Sequence, residues 1–413
     1  MIEAGQLTFS VIVVSRQRPA WLKRCVTALK QLDYPAFEII IVTDTASMTD
    51  LADPACKFCA FDEANISIAR NLGIALASGE ICAFIDDDAV AEPLWLRHMA
   101  EAFETTNAEA VVGFVRGRNG ISFQSRACSV DEEAETHKEV FEGESPALLA
   151  LQANRGTKLI GTNMAIRRDV LVSLNGFDEE FHFFLEDADL SLRLGRAGYQ
   201  TAIAPLAEVH HGFAPSSRRS TRRAPLDLYD IGRSTRFFVG KHGASSAEEI
   251  WKRVERRERA RLISHMVAGT CEPADVNRRM ESLRKGWDDE SPATPPSQTA
   301  LEPPVEAFAP IMVSASGSVV LASYLWSKRR NLLRKAKLRA ENGKRVSVFS
   351  FSLTPARHHV RYVEPGVWIQ TGGIYGKSDR NDPWFKWCRF ADRLRREIRR
   401  VAKQRGIGEI DEE

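Results

Sequence analysis

The chain predicts an α/β fold on a doubly wound sheet. Two observations carry that prediction: short apolar runs alternate with segments of helical period, and polar residues stand directly after each run. Phe9 to Val14 reads as a first buried strand. Pro19, suited to a first helical turn, opens a helix whose apolar residues Trp21, Leu22, Cys25, Val26, Leu29 and Leu32 recur at helical spacing. Glu38 to Val42 is a second buried strand. Ile66 to Ser78 repeats the helical period through Ile68, Leu72, Ala75 and Leu76 and stops at Gly79. Ile81 to Ile85 is too short for a buried helix and reads as a third strand. In such β-α-β-α-β arrangements ligands sit beyond the carboxyl ends of the strands, which is where Ser15, Arg16, Asp44 and the run Asp86-Asp87-Asp88 fall.

Three consecutive carboxylates at a strand end are costly. Two held ~4 Å apart repel by about 4 kcal/mol at an effective dielectric near 20, so the run calls for a bound cation unless it is a solvated acidic turn. Oxygen ligands favour Mg²⁺ or Mn²⁺ shared with substrate phosphates.

At this point the chain resembles a known family. Ser-Val-Ile-Val-Val-Ser-Arg-Gln-Arg-Pro from Ser10, Phe37-Glu-Ile-Ile-Ile-Val-Thr-Asp44, Ala69-Arg-Asn-Leu-Gly-Ile-Ala-Leu-Ala-Ser-Gly-Glu80 and Phe84-Ile-Asp-Asp-Asp88 look like successive signatures of family 2 glycosyltransferases with the GT-A fold. The likeness continues through Gly161-Thr162-Asn163-Met164-Ala165, Asn175-Gly176-Phe177-Asp178-Glu179 and Phe184-Leu185-Glu186-Asp187-Ala188-Asp189-Leu190, covering about residues 8 to 242. The resemblance implies a GT-A type mixed sheet and inverting, metal-dependent transfer from a nucleotide-diphosphate sugar to a hydroxyl of a glycan or lipid-linked acceptor, as in surface polysaccharide or glycoconjugate synthesis. It also implies roles for single residues. Ser15, Arg16 and Arg70 lie near the nucleotide, Asp44 hydrogen-bonds the base, and Asp87 faces the sugar or ribose. Asp86 and Asp88 form the D-x-D motif that holds Mn²⁺ or Mg²⁺, with His210 or His211, taken here as His211, completing the metal shell. Asp187 is the catalytic base, and Asp189 is structural. Thr43 stands where the family has an acidic residue and Thr45-Ala46-Ser47 replaces its glycine-serine turn, so the base is not specified. Two other readings stand beside this one: a nucleotidyltransferase, although Ser15 to Pro19 lacks that class's glycine-rich loop, and a catalytically silent nucleotide-sugar-binding scaffold.

Residues 1–242 are thus expected to form the catalytic domain. Ser216 to Arg223 is polar and basic, either a loop that closes over a diphosphate or a solvated linker. Tyr229 to Phe238 resembles the basic aromatic helix that ends the domain in non-processive members; the Gln-x-x-Arg-Trp motif of processive synthases does not occur. Residues 243–290 form a charged helical extension centred on Ile250 to Met266, 291–310 a Pro-rich linker, and 311–413 a basic region with a small β-rich unit across Lys344 to Gly376. That last region holds 22 Lys and Arg against 10 Asp and Glu, although the whole chain is only +2. Its final helix is expected to gather Trp384, Trp387, Ala391, Leu394, Ile398 and Val401 on one seam, which either lies on an anionic membrane surface or packs on its own domain. No nucleic-acid motif accompanies the charge, so nucleic acid is not an expected partner. No run is long and apolar enough to span a bilayer, and the acidic start leads straight into a strand, so the reading is cytoplasmic, with the inner face of a membrane as an alternative. Among the seven cysteines, Cys56 and Cys59 form a lone C-x-x-C with no second pair, which argues against zinc or redox use.

Overall fold

The structure is a computed structural model and describes residues 6–152, 154–243, 246–289, 301, 306–312 and 317–408. Its N-terminal unit opens with β1 (Phe9–Val14), α1 (Pro19–Leu29), β2 (Phe37–Thr43), α2 (Thr45–Leu51), β3 (Lys57–Ala60), α3 (Ile66–Leu76) and β4 (Ile81–Asp86). β1 lies between β2 and β4, parallel to both, with Val14 opposite Val42 on one side and Asp86 on the other. That register brings Ser15, Asp44 and the Asp run to one edge. The expected three-strand start has four strands. α2 and the edge strand β3 went unread because Thr45–Leu51 has no apolar period and β3 is four residues long with only Lys57 buried.

β5 (Ala89–Ala91), α4 (Trp95–Thr106), β6 (Ala110–Arg116) and β7 (Phe123–Ser125) follow. A three-stranded flap is built from β8 (Cys128–Asp131), β9 (Thr136–Lys138) and β11 (Arg155–Thr157), while β10 (Ala147–Leu148) pairs at the edge of the main sheet. β12 (Met164–Arg167), α5 (Arg168–Ser173), α6 (Glu186–Arg196) and β13 (Thr201–His211) complete the unit. The sheet runs β10-β13-β6-β12-β4-β1-β2-β3. β12 is antiparallel to both neighbours, so the sheet is mixed. Side chains alternating along each strand feed two apolar cores: Phe9, Val11, Val13 and Ile39 on one face, Ile12, Ile40, Phe84 and Met164 on the other. β13 is long, 11 residues. Its register shifts between Ala204 and Glu208, and it carries on through His210 and His211.

Beyond it lie α7 (Tyr229–His242), α8 (Ala247–Val267) and α9 (Pro273–Trp287). α9 is an addition to the expected extension. It crosses α7 where a Cβ on Gly286 would come within 2.0 Å of the Tyr229 carbonyl, so the contact needs glycine there. Of the expected linker, 291–300 and 302–305 lie outside the described residues. The described end of it packs on the N-terminal unit: Ala309 N donates to Glu38 at 3.0 Å and Ile311 N to the Phe37 carbonyl at 2.8 Å, with Ile311 buried in the main core.

The C-terminal unit comprises β14 (Ser318–Ser323), α10 (Arg329–Glu341), β15 (Arg345–Ser352), β16 (His359–Val363), β17 (Val367–Gly373) and α11 (Phe390–Arg405). Its sheet runs β14-β15-β17-β16, the first three strands parallel, so the expected β-rich unit is an α/β unit with α10 crossing over from β14 to β15. Two further expectations need correcting. Trp384 and Trp387 precede α11 and do not belong to it. The seam of α11 is spent on its own domain, Leu394 and Ile398 being buried with Phe349, Phe351 and Ile374, so that face is not available to a membrane. Among the described residues no helix is long and apolar enough to cross a membrane.

The two units are joined by a buried ion pair. Arg405 of α11 donates to both oxygens of Glu92 at 2.7 and 2.8 Å, and Glu92 also bonds His210 Nε2 at 2.8 Å. Burial would raise the Glu92 carboxyl, but Arg405 and His210 hold it down at about 2. Replacing Glu92 by Gln strands a buried guanidinium, so E92Q should lose about 3 kcal/mol in urea unfolding at neutral pH. The stability Glu92 supplies is complete above its ordinary pKa of 4.5 and fades as pH falls from there toward about 2, so the acid limb of the wild-type stability curve should be shallower in E92Q. Equal stability and an unchanged limb would remove this pair as the tie.

Candidate functional site

A crevice of about 470 Å³ opens over the carboxyl ends of β1 and β4, lined by Ser15, Arg16, Asp86, Asp88, His211 and the basic loop after β13. The Asp run divides where the strand ends: Asp86 is the last residue of β4, and Asp87 and Asp88 form the turn into β5. Asp86 and Asp88 line the crevice. Asp87, expected to face a sugar or ribose, is instead fully buried, bonded by the Ser15 hydroxyl at 2.7 Å and by Arg18 at 2.5 Å. Burial pushes its carboxyl up to about 7 despite Arg18.

Asp86, Asp88 and His211 bring one ligand atom each to within 4.8 Å of one another. Asp88 lies 3.1 Å from His211 Nε2 and accepts from the Ala214 N–H at 2.6 Å. Burial raises its carboxyl, but His211, Arg18 and that N–H outweigh it and hold it at about 2. Gln124 Oε1 sits 2.8 Å from His211 Nδ1, which places the ring proton there and leaves Nε2 as the ligating nitrogen. His210 faces the other way, toward Glu92, its ring centroid 4.9 Å from that of Trp368. Of the two histidines, then, His211 joins the carboxylates. Two oxygen donors and an imidazole, mostly buried, suit Mn²⁺ and accommodate Mg²⁺ less well.

Arg70 is 4% exposed and cross-links two acidic positions: Nη1 bonds Glu186 at 2.8 Å and Nη2 lies 3.7 Å from Asp86. A Cβ on Gly161 would come within 2.2 Å of Nη2, so Gly161 leaves the guanidinium its space. Burial raises the Glu186 carboxyl in spite of Arg70. Asp187, half-buried, accepts from the Gly161 N–H at 3.2 Å. It stands in the first turn of α6 and is preceded by Phe184 and Leu185 at φ of +73° and +70°. Two adjacent non-glycine residues in the left-handed region hold local strain, a feature that clusters at functional sites. Asp189 faces away from the crevice, bonded to Arg193 at 2.7 Å, Lys241 at 2.6 Å and His242 at 3.0 Å, and those partners press its carboxyl far below the usual range.

Asp44 caps α2. It accepts from Ser47 N at 2.9 Å, Ser47 Oγ at 2.7 Å and Gln17 N at 2.7 Å, bonds that overcome burial and lower its carboxyl. A base contact at Asp44 would share oxygens already bonded within the protein. Arg16 stands at the rim, paired with Asp62 at 2.8 Å. The basic segment after β13 is ordered as a wall of the crevice: Arg218 stacks on Phe183 at 4.4 Å and pairs with Asp230 at 2.5 Å, and Arg219 reaches within 3.9 Å of Asp88. Arg18, Gln124, Thr162 and Phe183 were not singled out by sequence. Thr162, whose hydroxyl donates to Asp86, lies inside the quoted Gly161-Thr162-Asn163 signature, so a signal for it existed.

Residues 10–174 match the model of glycosyl transferase family 2. Together with the mixed, doubly wound sheet, this makes the N-terminal unit a family 2 glycosyltransferase domain of GT-A type. Among curated proteins, the chain is 25% identical over 267 residues to the O-antigen biosynthesis protein RfbC of Myxococcus xanthus, covering 58% of this chain and 20% of that one. It is 32% identical over 161 residues to the succinoglycan biosynthesis protein ExoM of Rhizobium meliloti, covering 38% and 47%. It is 26% identical over 226 residues to the glucosyl-dolichyl phosphate glucuronosyltransferase of Haloferax volcanii, covering 49% and 67%. The chain thus spans only a fifth to about two thirds of these relatives' lengths. Among solved structures, S. aureus TarS 1-349 aligns at 17% identity and a TM-score of 0.39 over 56% of this chain and 65% of that one. GalNAc-T7 with UDP, GalNAc and Mn²⁺ aligns at 14% and 0.41 over 62% and 58%.

The two α6 aspartates separate in their expected behaviour. Asp189→Asn leaves Lys241, His242 and Arg193 short of their shared charge and should cost about 3 kcal/mol, while Asp187→Asn should cost about 1 kcal/mol or less. Chemical denaturation of both variants checks this, and a larger loss from Asp187→Asn would make Asp187 the structural member.

Proposed function

We propose that the crevice binds a nucleotide-diphosphate sugar and that the protein transfers the sugar, with inversion and with help from a divalent metal, to a hydroxyl of a glycan or lipid-linked acceptor in surface polysaccharide or glycoconjugate synthesis. The observation that carries this reading is the convergence of Asp86, Asp88 and His211 beside a wall of arginines, with Asp187 in the first turn of α6 next to Glu186, whose partner Arg70 reaches Asp86. The relatives support the substrate class: two are named for polysaccharide biosynthesis, and another for acting on a dolichyl phosphate glucoside.

In this reading Asp187 takes the proton of the acceptor hydroxyl while that oxygen attacks the anomeric carbon from the face opposite the nucleotide, so no covalent intermediate forms. The Gly161 N–H orients Asp187, and the Arg70–Glu186 pair neutralises the charge next to it. Arg218 and Arg219 face the departing diphosphate from the opposite wall. Mn²⁺ or Mg²⁺ held by Asp86, Asp88 and His211 would stabilise the charge developing on that diphosphate. Catalysis and donor binding belong to the N-terminal unit, so a cytoplasmic site facing a membrane-held acceptor is compatible with the reading.

Calorimetric titration with Mn²⁺ and a nucleoside diphosphate should show metal-dependent binding in the wild type, lost in Asp88→Ala and in His211→Ala but kept in His210→Ala. Unchanged affinity in Asp88→Ala would return the Asp run to a structural role. Asp187→Asn should keep that affinity and lower transfer by roughly 10² to 10⁴, the range for losing a positioned general base. Wild-type turnover in that variant would remove Asp187 from the mechanism.

A further inference from the structure

Behind the metal-site cluster lies a second cavity, of about 150 Å³, that the C-terminal unit completes. It shares only His211 with the donor crevice. α1 contributes Trp21 and Arg24, the turn after β6 contributes Arg118, and β16 contributes Arg361 and Tyr362. Three guanidinium groups therefore line one small space, and none of its lining residues is an aspartate or glutamate.

Arg24 feels the carboxylates of Asp88 and Asp87 behind the cavity wall, but no carboxylate lies in the lining itself. Arg24 stacks on Trp21 at 4.2 Å and donates one bond, at 3.3 Å, to the backbone carbonyl of Asp88, while its buried Nε has no partner. The side chains of Arg118 and Arg361 have no hydrogen-bond or ion-pair partner among the described residues. Elsewhere along this interface arginines are matched: Arg405 by Glu92, Arg116 by Glu208 and Arg345 by Asp33. Guanidinium groups gathered in one space repel one another, solvent screens that repulsion only in part, and an oxyanion relieves it directly because Arg presents the forked donors that oxyanions accept. Gly212 keeps the space open next to the metal site, since a Cβ there would meet Trp21 at 2.6 Å and both Arg24 and the Asp88 carbonyl at 2.9 Å.

We propose that this cleft is an oxyanion site in which Arg24, Arg118 and Arg361 hold a phosphate or carboxylate group of the acceptor, placing it beside the metal cluster and making the C-terminal unit part of the binding surface. The inference rests on the donor-crevice reading only in naming the acceptor as the carrier of the anion. A lipid-linked acceptor would supply a phosphate, and an acidic glycan would supply a carboxylate.

The test titrates inorganic pyrophosphate and, separately, glucuronate into the full chain in chelator-treated buffer. Variants are Arg118→Ala/Arg361→Ala, the reversal Arg361→Glu, and the donor-wall pair Arg218→Ala/Arg219→Ala. Arg118 and Arg361 are exposed at the surface, and melting temperature confirms the fold of each variant. At least one probe should bind the wild type and the donor-wall variant alike and be weakened about tenfold or more by both cleft variants, as expected when charge-assisted bonds are removed. Dependence of pyrophosphate binding points to the lipid phosphate and dependence of glucuronate binding to the acidic sugar. Binding that ignores both cleft variants, or no binding of either probe at millimolar concentration, overturns the proposal. Nucleoside diphosphate and Mn²⁺ titrated into the same preparations report on the donor crevice independently, so the two readings fail separately.

Discussion

The site depends on how the chain tolerates three consecutive carboxylates at the end of one strand. Each has a different solution. Asp87 is turned inward and neutralised by Arg18 and Ser15. Asp86 is held by Thr162 and faces Arg70. Asp88 is surrounded by His211, the Ala214 N–H and, farther off, Arg18 and Arg219. Those partners come from β1's following turn, α3, the start of β12, the end of β13 and the basic loop. A repulsion of about 4 kcal/mol per close pair is large against the marginal stability of a domain, which is why so many separate elements converge there.

The same strand end explains the placing of the C-terminal unit. His210 and His211 are neighbours on β13 and must face opposite ways. One turns to Asp88, the other to the Glu92–Arg405 pair that anchors α11. The interface is thus fastened at a residue adjacent to the candidate metal ligand, and the arginine-lined cleft lies in the angle between them. The basic excess of residues 311–413, which the sequence suggested as attraction to an anionic surface, is partly consumed here: Arg405, Arg345 and the fully buried Arg393 are interior groups.

Much of the fold was legible because buried parallel strands are continuous apolar runs: β1, β2 and β4 and the helices after β1 and before β4 lie close to where their periodicity put them. Elements without that pattern escaped. α2 has no apolar stripe, β3 is a short edge strand, and β14 and α10 lie where serines and lysines dilute the signal. In the site, Asp86, Asp88, Asp187 and Arg70 carry recognisable local sequence; Asp86 and Asp88 meet at one point with His211, and Arg70 lies against Asp86. The inward orientation of Asp87 was not legible, because it lies in the turn after β4 and is set by Ser15 and Arg18 from the turn after β1. The choice of His211 over His210 required the register of β13 against β5, in which His211 lies opposite Ala89, and that depends on a shift far along the strand. The membrane reading of the last helix failed because an amphipathic seam looks the same whether it meets lipid or its own domain. Here Phe349 and Phe351 cover it.

In the proposed reading Asp86, Asp88 and His211 form one divalent-cation site shared with a nucleoside diphosphate. Crystals grown with Mn²⁺ and a nucleoside diphosphate, measured at a wavelength where manganese scatters anomalously, address it without relying on turnover. A single strong anomalous peak is expected at coordination distance from Asp88 and His211 Nε2, with diphosphate oxygens on its crevice side. A peak elsewhere, or nucleoside diphosphate bound in the crevice with no peak beside Asp88 at saturating Mn²⁺, would contradict it.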